Sequence, residues 1–165
     1  MVPDLDLQLQ TAIKALGDNI KPAVDPDDKV AVEQLGIVMA TLAMVRERLP
    51  SERRFIRRVL GDEIGVAVDV GAAVGNEAVF TDDIAAARRA LADPELDTAE
   101  LENIRSALTS RTVSVIAEAG AAGLDALTPV LLKGAKPPLE RLRAWCIPSG
   151  FEPYASEIKA LDSLI

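Results

Sequence analysis

Six of the chain's twelve arginines fall within "RERLPSERRFIRR", residues 46–58. Five of them, Arg46, Arg53, Arg54, Arg57 and Arg58, are the side chains best suited by type and spacing to hold a ligand. With Glu47 and Glu52 included the segment carries +4, which leaves −12 for the rest of a chain whose net charge is −8. A guanidinium is always charged and offers a planar fork of donors, so such a cluster suits a phosphate or a carboxylate. A second basic run, Lys133, Lys136, Arg141 and Arg143, would complete an anion site if the fold brought it alongside. The competing account is structural. Arg46 and Arg48 sit where a helix C-terminus favours cations, and the rows 53, 57 and 54, 58 form a solvated face with Asp62.

Other chemistry is restricted by what is missing. The sequence has no histidine, which removes His-based zinc sites, Ser-His-Asp triads and Cys-His pairs. Its one cysteine, Cys146, lies beside Trp145 and reads as a structural thiol without an activating base. Glu33, Glu63, Glu77 and Glu118 could form only a carboxylate metal site, and their spacing does not call for one. The expectation is therefore no catalytic residue, no metal and no cofactor.

The stretch "GVAVDVGAAVG", residues 65–75, has two readings. Its alternating valines followed by Asp69, Gly71 and Gly75 resemble the first motif of S-adenosylmethionine-dependent methyltransferases, with Ala73 in place of the middle glycine. That resemblance implies a buried strand ending on a glycine-rich cofactor loop. A doubly wound sheet, however, needs several strands alternating with helices, and the only other strand-like run is "TVSVI" at 112–116. The favoured reading is helical. Gly61 and Gly65 are four apart, as are Ala67, Gly71 and Gly75 in turn, and these five small residues make rows that another helix could approach closely. Asp62, Asp69 and Asn76 then recur at seven as a polar stripe.

The elements that would carry these residues follow from apolar periodicity. Leu5, Leu9, Ile13 and Leu16 mark a helix over 5–20. Asp25 or Asp27 would cap a second helix over 27–49, where Ala31, Leu35, Val38, Leu42, Val45 and Leu49 recur at four and three. Val30, Ile37 and Met44 widen that stripe, so this reads as the most buried helix. The third helix covers 52–76, with Ile56, Leu60, Ala67, Val70 and Val74 on its apolar face. Thr81 would cap a short helix over 82–92. Asp97, Glu100 and the Leu96–Leu101 staple start a long one over 98–119, which ends near Gly120. Beyond it, Pro129, Gly134, Pro137, Pro138, Pro148, Gly150 and Pro153 divide the remainder into short helical pieces.

The 165 residues are 49% hydrophobic but only 3% aromatic, with 26 alanines, a composition that favours helices packed around an aliphatic core. The expected fold is all-α: one bundle domain, 1–165, of four principal helices plus short C-terminal helices, with 124–165 a Pro-interrupted extension packed on the bundle. The acidic balance argues against nucleic acid and against anionic membranes. The eleven-residue run "LGIVMATLAMV" is too short to span a bilayer, and "MVPDLDLQLQ" has no apolar signal-peptide core, which together suggest a cytoplasmic protein. Surplus apolar faces on the second and third helices suggest a homodimer or a protein partner. The stretches "DLDLQLQTAIKAL" and "VDPDDKVAVEQL" are similar to uncharacterised bacterial all-helical proteins, over the first third of the chain. That similarity implies an accessory role and transfers no site residue. The sequence supports three functions in this order: a non-enzymatic helical interaction protein, an anion-binding module using the arginines, and the methyltransferase reading.

Overall fold

The computed structural model describes residues 4–165; the first three residues of "MVPDLDLQLQ", read above for a leader segment, lie outside the described residues. Every regular element among the described residues is helical. Helix α1, Leu5–Ala15, runs on through a wider π turn, Leu16–Ile20, and α2 spans Lys29–Arg48. Helix α3 spans Glu52–Ala73 and α4 spans Thr81–Ala92. The 49-residue helical segment Thr98–Cys146 is broken at Gly120, whose φ of 58° and ψ of −163° are non-helical. We treat its halves as α5, 98–119, and α6, 121–146. Three single 3-10 turns, Ile147–Ser149, Ala155–Glu157 and Leu161–Ser163, finish the chain.

These elements gather into two compact units. The first combines the chain up to Ser51 with Leu142–Leu161, and the second combines Glu52–Arg141 with Asp162–Ile165.

The second unit holds the enclosed core. From α3 it takes Leu60, Ile64, Ala67 and Val70, one helical face at steps of four and three. Helix α5 supplies Leu101, Leu108 and Val115 at sevens, and α6 supplies Leu127. Phe80, fully buried, is the largest of the enclosed side chains. On α4 the buried positions are Ala87 and Ala90, small enough to let that helix lie close. Each enclosed Leu or Phe contributes about 1.5–3 kcal/mol relative to exposure. Gly134 of α6 comes against α3 so closely that an added Cβ would lie 2.9 Å from Val66 Cγ2.

The boundaries have local causes. Asp97 starts α5 by accepting the Glu100 N–H at 2.7 Å. Helix α2 is capped by Asp28, which accepts the Ala31 N–H at 3.0 Å, whereas Asp25 accepts the Asp27 N–H one step earlier, in a turn. Thr81 lies inside α4, and the capping position is Phe80, with no side-chain bond. Helix α6 continues through Pro129, Pro137 and Pro138. The expected short C-terminal helices are the turns after Cys146, whereas the expected division at Pro129, Pro137 and Pro138 is corrected, because a proline removes only its own N–H bond. The carbonyls it frees, on Asp125, Lys133 and Gly134, belong to residues that are exposed or half-buried and so open to water.

The first unit is different in kind. Helices α1 and α2 pack together, and Leu9, Ile13, Leu35 and Met39 on them are half-buried, yet neither helix has a single buried residue. The reading of the second helix as the most buried is therefore overturned. Its apolar surface is wider than its neighbours in this unit, α1 and the turn Ile147–Ser149, can cover.

Candidate functional site

The five arginines do not converge on a common site. Arg46 forms a bidentate pair with Asp6 of α1, Nε to Oδ1 at 2.7 Å and Nη2 to Oδ2 at 3.0 Å. That contact holds the Asp6 carboxyl below its ordinary range and raises Arg46, mainly through the hydrogen bond in each case. Arg53 donates to the carbonyl oxygens of Pro94 and Leu96, the latter at 2.7 Å. Arg54 reaches Asp162 at 3.3 Å. Arg57 donates to the carbonyls of Ala90, Leu91 and Asp93. Arg58 alone is exposed with no hydrogen-bond or ion-pair partner among the described residues.

The pattern is recurrent: arginines of one helix satisfy the carbonyls left open at the end of another. Those last carbonyls have no donor within their own helix. Arg57 serves the end of α4. Arg48, in the first unit, serves α6 by donating to the Trp145 carbonyl at 2.9 Å and the Ala144 carbonyl at 3.0 Å.

Three residues of the second basic run are engaged too, while Lys136 is exposed. Lys133 lies 3.4 Å from Asp69, and Arg143 forms a bidentate pair with Glu152 at 3.2 and 2.8 Å. Arg141, only 2% exposed, sits against the Asp62 carboxylate and donates to the Leu164 carbonyl at 3.5 Å. Burial first, and then the like charge of Arg58, disfavour the Arg141 cation. Arg58 and Arg141 are close enough for their like charges to interact, and the carboxylate that meets Arg141 is the protein's own Asp62.

Carboxylates take part in scaffolding too. Arg105 of α5 binds Glu102 through two bonds of 2.8 and 2.5 Å and reaches across to Glu63 of α3 at 2.8 Å. Thr109 donates to the second Glu63 oxygen at 2.8 Å. This network raises Arg105 above its ordinary range and lowers Glu102. No group of three or more Cys, Asp or Glu side chains among the described residues is placed to hold a metal ion.

Residues 65–73 are helix, so the strand-and-loop alternative for Asp69, Gly71 and Gly75 is corrected. Backbone bonds from Asn76 N to Gly71 O at 2.9 Å and from Gly75 N to Ala72 O at 3.1 Å close α3 in a Schellman turn, with Gly75 at φ 68°. Gly75 thus supplies a left-handed backbone and touches no other helix. Gly61 and Gly65 are exposed, with open space where a Cβ would stand. Ala67 is buried, and Gly71 is the tight position. A Cβ there would lie 3.2 Å from Glu77 Cα and 3.3 Å from Phe80 Cδ2, so what presses on it is the returning chain.

No family model, curated protein or solved structure matches this chain.

The remaining grooves are shallow. In the second unit one of about 400 Å³ lies beside Asp69, Ala72, Pro129 and Lys133, and another of about 390 Å³ beside Val68, Thr81, Ile84 and Arg88. Neither brings together an acid, a base and a nucleophile. No helix among the described residues is long and apolar enough to cross a membrane.

What the structure leaves most exposed is apolar and belongs to the first unit. Of the sixteen large exposed hydrophobic side chains among the described residues, eleven are there. On α2, Val30 is 69% exposed, Val38 47% and Val45 40%. Gln34 and Thr41, also exposed, fall between them. At 100° per residue these five span only about 80° of the helix circumference. They form one continuous uncharged stripe. Its sequence signal is the charge-free run from Gln34 to Val45, which the periodicity alone assigned to a core.

Proposed function

We propose that this chain is a non-enzymatic interaction protein whose working surface is the exposed stripe of α2. The observation that carries the reading is a 20-residue helix with no buried residue and a row of exposed valines. Exposed apolar surface of this extent marks a place where another protein docks. Arginines already committed to carbonyls and carboxylates support the same reading, since four of the five best suited to hold an anion are occupied. The acidic balance argues against nucleic acid and anionic membrane as partners, and a single cysteine fits a cytoplasmic accessory protein.

Two measurements test this. In a Cys146→Ser background, Val38→Cys at nanomolar concentration should react with a maleimide nearly as fast as an unstructured peptide thiol. The pair Val38→Glu and Val45→Glu should shift the melting temperature by no more than about 4 °C, as surface changes do. A protected thiol, or a collapse of stability on charging the stripe, would show that the chain covers this face itself and would overturn the proposal.

A further inference from the structure

We infer that the first unit binds a medium-chain carboxylic acid, with its alkyl tail in a cavity between α2 and the turns that follow α1, and its carboxylate on Lys21. This site is separate from the exposed stripe of α2 and does not depend on what docks there.

The cavity measures about 230 Å³ and is more enclosed than the two grooves of the second unit. Among the described residues it is lined by Val24, Val32, Leu35, Gly36 and Met39, with Lys21 as the charged one. At 100° per residue its four α2 positions centre about 150° round the helix from the stripe of Val30, Val38 and Val45. Its other wall is the 3-10 turn Lys21–Ala23 and Val24, to which the π turn Leu16–Ile20 leads. Gly17 of the π turn lies over the tip of Met39, where an added Cβ would stand 3.5 Å from Cε. A π turn inserts an extra residue into a helix and is kept mostly at functional sites. Met39 suits such a wall, because its flexible thioether repacks around what it meets.

The volume selects the tail. A dry cavity of about 150 Å³ already takes a benzene ring, so this one takes a chain of about eight carbons. It is smaller than the pockets of about 300–1,000 Å³ that hold cofactors and drug-sized ligands. A sugar or a peptide would lose its hydrogen bonds against walls of Val, Leu and Met.

The charges select the head. Of the lysines between residues 14 and 29, Lys14 is closed on Asp18 and Lys29 donates to the Pro26 carbonyl. Lys21 is exposed, and its ammonium has no hydrogen-bond or ion-pair partner among the described residues. An ammonium acts as a point charge, without the fork that arginine offers a phosphate. Asp25, Asp27 and Asp28, all exposed and close by in the chain, oppose a doubly charged head and so favour a carboxylate. An alkyl acid meets both conditions at once, apolar walls within and a cation at the rim.

The test titrates the full chain with octanoate and follows the ε-methyl signals of Met39 and Met44, only the first of which lines the cavity. Octanoate below its micelle concentration should move Met39 saturably and leave Met44 in place, with affinity rising from butanoate to octanoate. Octanol with the parent chain, and octanoate with Lys21→Met, should each bind about fivefold more weakly, the scale of one exposed ion pair. Inorganic phosphate should leave Met39 unmoved. Gly36→Leu enters open space within the cavity and replaces a poor helix former, so it should keep the melting temperature and lose octanoate binding. No saturable Met39 shift with millimolar octanoate overturns the inference, as does binding that survives Gly36→Leu. Equal binding of octanol and octanoate, unchanged by Lys21→Met, overturns Lys21 as the partner of the head and the acid as the ligand.

Discussion

Arg57 of α3 donates to the carbonyl oxygen of Asp93 at 2.9 Å, at the residue where α4 ends. The same guanidinium covers the Ala90 and Leu91 carbonyls, so one side chain does for α4 what a C-terminal glycine turn does for α3. A charged donor aimed at several half-buried carbonyls is worth more than a neutral one, and its loss leaves acceptors unpaired. We expect Arg57→Ala to cost about 1–2 kcal/mol in urea unfolding. Arg57→Lys should recover only part, because an ammonium cannot reproduce the fork. Arg58→Ala, one residue away and without partners, should be near neutral. Equal losses at 57 and 58 would contradict this account.

Four glycines of α3 and its closing turn separate into opposite stability classes. Gly61→Ala and Gly65→Ala enter open space on an exposed helix and should stabilise by about 0.5–1 kcal/mol each. Gly75→Ala should destabilise by about 1–2 kcal/mol, because its left-handed backbone penalises a Cβ. Gly71→Val forces itself against Glu77 and Phe80 and should cost about 1–3 kcal/mol. Thermal melts of the four variants check the ordering, and a destabilising Gly65→Ala would point to a neighbour that this structure lacks.

Glu102 gives the protein an acid-sensitive contact. Its carboxyl is held below the ordinary 4.5, first by the hydrogen bond from Arg105, against a smaller opposing effect of burial. A group with a depressed folded value stabilises fully above its unfolded value, and that contribution fades as pH falls through the folded one. The stability gap between the parent and Glu102→Gln should therefore be open at pH 7 and closed once both states are protonated. Chemical denaturation at pH 7 and at successive steps into acid measures it. A gap that persists in acid would mean that the glutamine disrupts packing rather than charge.

The sequence was legible wherever a local rule was also the deciding one. The Asp97 cap, the start of α5 and its end before Gly120 all follow from side-chain-to-backbone chemistry within a few residues. Two readings failed because the cause is not local. Apolar periodicity in α2 looks the same whether the stripe faces a core or solvent, and nothing between residues 29 and 48 records that its neighbours cover only part of it. Prolines 129, 137 and 138 break helices by propensity, yet α6 persists because core contacts such as Leu127 and the approach of Gly134 to Val66 anchor it. The arginines fall between these cases. Their type announced a need for oxygen acceptors, and only the fold revealed that the acceptors are the protein's own carbonyls and carboxylates.

Helices that enclose nothing are held by little besides their own backbone bonds. The amide hydrogens of α1 and α2 should therefore exchange with solvent well ahead of those around Leu60, Ala67 and Leu108, whose release requires opening the core. A protein seated on the α2 stripe would slow that exchange, so how long these helices stay closed would depend on whether that surface is occupied.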